Sequence, residues 1–171
     1  TGSATNAGAA LSFGTTIRNV ESYTISGGSG DDTFIVGAGS FVGASSRILN
    51  SLGIDRVVAD FSDATTQITY ENHYLTTATG RIELWGLDIM EISAGSADDR
   101  LIALVQQRCL FDGGAGNDLL SGHVQNDELS GGDGDDQLFA DAGNDILIGG
   151  AGSDFLHGGA GVDTMAGGDG N

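Results

Sequence analysis

Large aliphatic residues return at every ninth position along the C-terminal part of the chain. From residue 113 the sequence divides without a gap into GGAGNDLLS, GHVQNDELS, GGDGDDQLF, ADAGNDILI, GGAGSDFLH and GGAGVDTMA, followed by GGDGN. Position eight of the complete units holds Leu120, Leu129, Leu138, Leu147, Leu156 and Met165. An aliphatic residue between two flanking residues predicts a short strand with one inward side chain. The fixed period predicts a solenoid of stacked repeats.

The nine-residue period also predicts how the repeats stack. Two units form one turn of a flattened coil, and parallel strands of successive turns lie about 4.8 Å apart. We expect Leu120, Leu138 and Leu156 to form one core ladder, with Leu129, Leu147 and Met165 facing it. This core is thin, because one aliphatic side chain per unit does not offset the entropy lost on ordering nine residues.

The N-terminal part carries β-forming sequence with weaker periodicity. Residues 55–70 and 80–92 are rich in β-branched and aromatic residues, which indicates strands. Residues 17–35 align with residues 84–102, and residues 50–58 form a weaker copy that keeps Gly53, Asp55 and Val57. We therefore expect an irregular β-solenoid or capping region over 1–112 and a regular β-roll over 113–171. The chain ends inside a repeat unit, which indicates a piece of a longer protein.

Glycine accounts for 30 of 171 residues, and proline is absent. Glycines at positions one, two and four permit positive φ, so that six residues can curl tightly with their carbonyls turned inward. Glycine does not recur at every third position, which excludes a collagen helix. No apolar run approaches the ~18 residues needed to cross a membrane, so we expect no membrane partner.

The charge is strongly negative, with 24 acidic residues against six Lys and Arg and a formal net charge of −18. A nucleic acid or an anionic membrane requires a basic patch, which this composition does not supply. We therefore expect no nucleic-acid partner. Cys109 is the single cysteine and has no intrachain disulfide partner. Its apolar neighbours predict a small buried hydrophobe.

Position six of every complete unit is an aspartate. The six are Asp118, Asp127, Asp136, Asp145, Asp154 and Asp163. Stacking places carboxylates one turn apart, where they repel each other unless a cation lies between them. A hard cation that takes six to eight oxygens from carboxylates and backbone carbonyls is calcium. Magnesium is less suitable because it demands octahedral geometry and retains waters. Zinc requires His or Cys ligands, and His73, His123 and His157 show no ligand spacing.

The unit G-G-x-G-x-D-x-U-x resembles the RTX (repeats-in-toxin) calcium-binding nonapeptide. The resemblance is strong over Gly113–Ala166 and extends to one copy at Gly27–Ile35. It implies a right-handed parallel β-roll that holds several calcium ions in its turns. The implied ligands are the six aspartates above, Asp32 and Asp99, and the backbone of Gly113, Gly114, Ala115, Gly116, Gly131, Gly132, Asp133, Gly134, Gly149, Gly150, Ala151, Gly152, Gly158, Gly159, Ala160 and Gly161.

Departures from the consensus are concentrated on one side of the predicted roll. The loops that begin at residues 113, 131, 149 and 167 share one edge, and all have the three glycines. The loops at 122, 140 and 158 share the other, where His123, Val124, Gln125, Ala140 and Asp141 replace consensus residues. We expect calcium to bind well at the first edge and weakly or not at all at the second.

The resemblance implies a secreted Gram-negative protein that is exported by a type I system and folds on binding calcium outside the cell. The leading hypothesis is a non-catalytic calcium-binding module that supports the folding, secretion or stability of a larger polypeptide. Two alternatives stay open: the non-catalytic C-terminal part of a secreted protease, lipase or alginate epimerase, and a structural segment of an adhesin or S-layer. Catalysis by the paired acids Asp31–Asp32, Asp98–Asp99 or Asp135–Asp136 is disfavoured, because adjacent strand residues point to opposite faces.

Overall fold

Every regular element that the structure describes is a β-strand. The computed structural model describes residues 2–5, 23–26, 29–37, 43–49, 52–103 and 106–170. The strands are β1 (Gly2–Thr5), β2 (Tyr23–Ser26), β3 (Thr33–Gly37), β4 (Gly43–Leu49), β5 (Arg56–Asp60), β6 (Thr69–Glu71), β7 (Tyr74–Thr77), β8 (Gly80–Trp85), β9 (Ile89–Ser93), β10 (Arg100–Ile102), β11 (Arg108–Ala115), β12 (Leu119–Ser121), β13 (Glu128–Asp133), β14 (Gln137–Phe139), β15 (Ile146–Ala151), β16 (Phe155–His157) and β17 (Thr164–Asp169).

The strands form two sheets, and the chain passes from one to the other at each half turn. The ten-stranded sheet has the order β1-β2-β4-β8-β7-β6-β10-β12-β14-β16, and the seven-stranded sheet has the order β17-β15-β13-β11-β9-β5-β3. From β9 onward consecutive strands alternate between the sheets and pair in parallel with the strand one turn away. This is a parallel β-solenoid, which confirms the predicted all-β class.

Both predicted core ladders are present. Leu120 pairs with Leu138 and Leu138 with Leu156 in the ten-stranded sheet. Leu129 pairs with Leu147 and Leu147 with Met165 in the seven-stranded sheet. The leucines of the earlier turns are fully buried, whereas Met165 in the last strand is 54 % exposed.

The core is thicker before residue 113 than in the nonapeptide array. Strands β5, β9 and β11 each bury two inward side chains, namely Val57 and Ala59, Met90 and Ile92, and Cys109 and Phe111. Tyr70 in β6 is also buried, and its hydroxyl donates a hydrogen bond of 3.0 Å to Gln107 Oε1. Burial of Cys109 agrees with its predicted role as a small hydrophobe. Each turn of this part therefore removes more apolar surface from water than a pair of nonapeptides does.

One departure from a purely parallel solenoid was not predicted. Strands β6, β7 and β8 form an antiparallel meander, whose outer strands β6 and β8 pair in parallel with β10 and β4. The residues between β6 and β7, Asn72 and His73, have φ values of 53° and 66°. Two consecutive positive φ values define a tight two-residue hairpin turn. The meander widens the sheet, and parallel stacking continues on both sides of it.

The expected boundary between residues 112 and 113 falls inside β11, so the two sheets run through it. The division into an irregular β-solenoid over 1–112 and a regular β-roll over 113–171 therefore stays a prediction. The aligned segments 17–35 and 84–102 place equivalent residues in opposite sheets, since β3 belongs to the seven-stranded sheet and β10 to the ten-stranded one. Residues 17–22, 27, 28, 50 and 51 of the predicted repeats lie outside the described residues.

None of the described segments is a helix with the length and apolarity to cross a membrane.

Candidate metal centre

The loops between the strands lie along two edges of the solenoid. We call the connections from the seven-stranded to the ten-stranded sheet the first edge, and those in the opposite direction the second edge. Loops 113–118, 131–136 and 149–154 lie on the first edge, and loops 122–127, 140–145 and 158–163 on the second. The grouping of loops is the one expected from the nine-residue period.

The position-six aspartates form a hydrogen-bonded column along each edge. Each Oδ1 accepts the backbone N–H of the corresponding residue one turn earlier. On the first edge Asp118 N–H donates to Asp136 and Asp136 N–H to Asp154, at 2.8 and 3.0 Å. On the second edge Asp127 N–H donates to Asp145 and Asp145 N–H to Asp163, at 2.8 and 3.1 Å. One oxygen of each carboxylate is therefore used to join turns.

Position-five side chains join the turns in the opposite direction, and this role was not predicted from the sequence. Asn117 Oδ1 accepts the N–H of Asp135 one turn later, and Asp135 Oδ1 accepts that of Ser153. Asn126 and Asn144 do the same on the second edge. The signal was present, since position five is Asn or Asp in the first four units. These bonds tie neighbouring turns together in both directions.

The second carboxylate oxygen is the atom that remains free at four of these aspartates. Oδ2 is buried without a hydrogen-bond partner at Asp118, Asp136, Asp145 and Asp154. Such a buried acceptor is costly unless another group or ion satisfies it. At Gly113, Gly131 and Gly149 an added Cβ would collide with Oδ2 of the aspartate five residues later. Glycine at position one of these three loops therefore leaves room beside this oxygen.

Glycines at positions two and four place backbone carbonyls beside the next turn. Gly132 and Gly134 have φ values of 110° and 138°, a region that favours glycine. An added Cβ at either residue would collide with the carbonyl oxygen of Gly114 or Gly116, one turn earlier. Close approach between turns thus brings carbonyl oxygens and a free carboxylate oxygen into the same stack.

Two loops differ because their own backbone satisfies Oδ2. His123 N–H donates to Asp127 Oδ2 at 3.0 Å, and Gly95 N–H donates to Asp99 Oδ2 at 3.1 Å. His123 and Gly95 occupy position two of their loops, and neither has positive φ. At Asp118, Asp136, Asp145 and Asp154 the position-two residue does have positive φ. The position-two conformation therefore decides whether the loop closes on its own aspartate or leaves an oxygen open.

Loop 140–145 keeps the open conformation despite its altered sequence. Asp141 at position two has a φ of 69°, and Gly143 at position four a φ of 159°. An added Cβ at Gly159 or Gly161 in the next loop would collide with the carbonyl oxygen of Asp141 or Gly143. These contacts repeat those of the first edge. On the second edge, loop 140–145 therefore keeps the open arrangement that loop 122–127 lacks.

Asp163 and the N-terminal candidates complete the predicted set. Asp163 is partly buried, and an added Cβ at Gly158 would collide with its Oδ2. Asp32 belongs to a different column, in which Asp32 N–H donates to Asp55 and Asp55 N–H donates to Asp88. Asp55 was predicted only as part of a weak repeat, and Asp88 was not predicted as part of a stacked column.

Burial makes the open columns electrostatically unfavourable when they carry full charge. Burial, reinforced by the neighbouring carboxylates Asp136 and Asp99, raises the pKa of Asp118 to about 7. Burial first, and the next aspartate second, also raises the pKa of Asp136 and of Asp145. A cation bound among these oxygens would reverse the shift, because it favours the ionised form.

The donor set matches a hard divalent cation. Within the described residues no three His, Cys, Asp or Glu side chains converge on one point. The available donors are instead single carboxylate oxygens and backbone carbonyls from stacked glycine turns. Calcium accepts such mixed oxygen donors and tolerates irregular geometry. The residues present therefore fit calcium, through Asp118, Asp136 and Asp154 on the first edge and Asp145 on the second.

The geometry defines a parallel β-solenoid whose turns offer oxygen ligands to cations. The sequence model of the RTX calcium-binding nonapeptide repeat matches the chain in four copies, over residues 24–40, 112–147 and 139–171. These segments therefore carry RTX calcium-binding nonapeptide repeats. No curated protein matches the chain.

Proposed function

We propose that this chain is a calcium-binding module that completes its folding when calcium binds outside the cell, and that it supports the folding, secretion or stability of a larger secreted polypeptide. The observation that carries this proposal is the buried, unpartnered Oδ2 at Asp118, Asp136, Asp145 and Asp154. An apolar or fully hydrogen-bonded solenoid would not leave one acceptor open in each of four loops.

Calcium would supply positive charge and coordination to these oxygens. The residues that would hold it are Asp118, Asp136 and Asp154 with the carbonyl-bearing turns at 113–116, 131–134 and 149–152. Asp145 would hold it with the turns at 140–143 and 158–161. In the chain itself, Oδ1 of each carboxylate accepts a backbone hydrogen bond. This bond orients Oδ2 before calcium binds.

Asp127 and Asp99 are the position-six aspartates that we propose to be poor ligands. Their Oδ2 atoms already accept a backbone N–H from within the same loop. Calcium would have to compete with that bond and change the loop conformation. The weaker calcium binding expected along the whole second edge is therefore proposed for loop 122–127 alone. Calcium is proposed to bind that edge between loops 140–145 and 158–163.

The paired acids support a structural role and not a catalytic one. Asp98 and Asp135 accept backbone N–H groups from the following turn through Oδ1. Asp99 and Asp136 accept them from the preceding turn. One oxygen of each of these four carboxylates is therefore used to join turns. The neighbouring carboxylates in each pair face different turns, so they do not form a two-acid centre.

Repeats of this family are typical of secreted Gram-negative proteins, which supports an extracellular setting where calcium is abundant. The larger polypeptide is proposed to be either a secreted enzyme, whose catalytic part is elsewhere, or a structural surface protein. Both settings use the same calcium-dependent roll.

Far-ultraviolet circular dichroism of the chain with calcium and after its removal tests the proposal. Calcium should increase the β signal with a cooperative, saturable titration, and magnesium at the same concentration should produce a smaller change. Asp136→Asn should weaken the calcium response, whereas Gln137→Asn, at the next residue and the first of β14, should leave it unchanged. A β spectrum that is identical with and without calcium would contradict the proposal.

A further inference from the structure

The second edge also carries an open cavity of about 500 Å³, apart from the proposed calcium turns. Its wall comes from four successive connections of that edge, between β4 and β5, β8 and β9, β10 and β11, and β12 and β13, together with the hairpin turn of the meander. A volume of this size lies within the roughly 300–1,000 Å³ of small-molecule sites. Lining residues used below are His73, Leu87, Asp88, Gln106, Gln107 and Gln125.

Gln125 links the cavity to the altered nonapeptide. It occupies position four of loop 122–127, where the consensus has glycine, and its side chain is exposed. This is the loop whose aspartate is satisfied by His123 N–H and which we propose to lack calcium. Replacement of the glycines therefore coincides with a polar side chain being placed on the cavity wall.

Gln107 is held rigidly at the inner side of the cavity. Only 5 % of its surface is exposed, and its Oε1 accepts the hydrogen bond from the buried hydroxyl of Tyr70. This bond fixes the amide oxygen of a residue that also lines the cavity. A side chain held in place before a ligand arrives loses little conformational entropy on binding.

The meander supplies an aromatic side to the same cavity. His73 stacks on Trp85, with ring centroids 4.1 Å apart and planes inclined by 20°. Its Nδ1 is buried without a hydrogen-bond partner. The positive φ of Asn72 and His73 holds the turn that presents this ring. Leu87 adds a small apolar surface beside it.

The chemistry of the lining selects among ligand classes. No Lys or Arg lies among the described lining residues, and the chain carries a formal net charge of −18, so an anionic ligand is disfavoured. A zinc site is also disfavoured, because His73 is the single imidazole, and no thiol is present, among the described lining residues. Three amides, the imidazole of His73 and the carboxylates of Asp55 and Asp88 are the polar groups of the lining, and Leu87 is its aliphatic side chain.

Such a lining suits a molecule that presents many hydroxyls and an apolar ring face. We propose that this cavity binds an uncharged saccharide of one or two rings, with Gln107 and Gln125 as hydrogen-bonding residues and His73 as the stacking residue. The proposal does not depend on how many calcium ions are bound.

Fluorescence of Trp85, the only tryptophan in the chain, reports on the cavity through its stack with His73. The calcium-loaded chain is titrated with glucose, maltose, lactose and N,N′-diacetylchitobiose, and with glucuronate and spermidine as charged comparisons. A saturable change with at least one neutral saccharide is expected. Gln125→Ala should raise the dissociation constant for that saccharide roughly three- to tenfold, the effect of one hydrogen bond.

The matched control is Gln137→Ala, because Gln137 is also an exposed glutamine but lies on β14, away from the cavity lining. It should leave saccharide affinity unchanged. A response to spermidine alone would overturn the proposal in favour of a cation site. Absence of a saturable response to all four neutral saccharides, or equal effects of the two glutamine variants, would also overturn it.

Discussion

His123 N–H donates to Asp127 Oδ2 at 3.0 Å, whereas Oδ2 of Asp145, one turn further along the same edge, is buried with no partner. The two aspartates occupy the same position of the repeat and are themselves linked, since Asp127 N–H donates to Asp145 Oδ1. They differ in the residue at position two, where Asp141 has positive φ and His123 does not. Backbone conformation at one residue thus separates a self-satisfied turn from an open one.

Asparagine substitutions at these two positions should have different effects on calcium binding. Asp145→Asn replaces the free oxygen of an open turn and should lower the number of ions bound, or weaken one site at least tenfold. Asp127→Asn should leave the stoichiometry unchanged, because its Oδ2 is already used by His123 N–H. Isothermal titration calorimetry with calcium measures both. Equal losses in the two variants would contradict the proposed difference between the loops.

Much of this arrangement could be predicted from the sequence. The fixed positions of Asp118 and Leu120 and of their counterparts determine the solenoid, because each residue type has only one environment it can occupy in a stacked turn. The state of loop 140–145 could not be predicted in this way. Its Ala140 and Asp141 depart from the glycine consensus, yet Asp141 adopts positive φ, which aspartate tolerates better than most residues.

The antiparallel meander was missed for a different physical reason. Alternating apolar and polar residues in β6 and β8 identify strands, but period two carries no information on strand direction. Direction is decided by the turn at Asn72 and His73, whose two positive φ values reverse the chain. The cavity beside this turn was equally hidden, because its lining is gathered from four connections distant in sequence.

Alanine substitution at Gly132 should abolish calcium binding at the first edge near that turn. Gly132 has a φ of 110°, and a Cβ there would collide with the carbonyl oxygen of Gly114. Both the strained backbone and the displaced carbonyl disturb the proposed ligand set. Gly167→Ala is the control, since φ at Gly167 is not positive and nothing lies within 4 Å of its added Cβ. Calorimetry should show a lost or weakened site in Gly132→Ala and normal binding in Gly167→Ala.

Acidification should stabilise the calcium-free chain. Burial and the neighbouring carboxylates raise the pKa of Asp118 to about 7 in the folded state, against 3.8 for an unperturbed aspartate, and also raise that of Asp136 and Asp145. Between these two pH values the folded chain binds more protons than the unfolded chain, so its free energy of unfolding falls as the pH rises. This stabilisation is fully present below about pH 4 and is lost as the pH rises through about 7.

Thermal unfolding of the metal-free chain at pH 5 and pH 8 measures this effect, and the midpoint should be higher at pH 5. Calcium affinity should be lower at pH 5 than at pH 8, because protons compete with the ion for the same carboxylates. Asp118→Asn should reduce the pH dependence of the metal-free midpoint. A midpoint that rises with pH in the absence of calcium would show that the stacked carboxylates do not control stability.

The N-terminal part of the core should remain ordered when calcium is removed. Strands β5, β9 and β11 bury two side chains each, and Tyr70, Phe111 and Gln107 fill the space between the sheets. The array after β11 directs one aliphatic side chain per unit into the core, with Met165 of the last unit 54 % exposed, and leaves four buried carboxylate oxygens unpaired. Hydrogen–deuterium exchange of the full chain should therefore retain protection over residues 55–112 on chelation and lose it over residues 119–170.

Met90→Ala should destabilise the protected part by about 2–5 kcal/mol, whereas Leu138→Ala should affect only the calcium-dependent part. If chelation removed protection from both parts together, the solenoid would be a single calcium-dependent unit, and β11 would not serve as a template on which the nonapeptide turns stack.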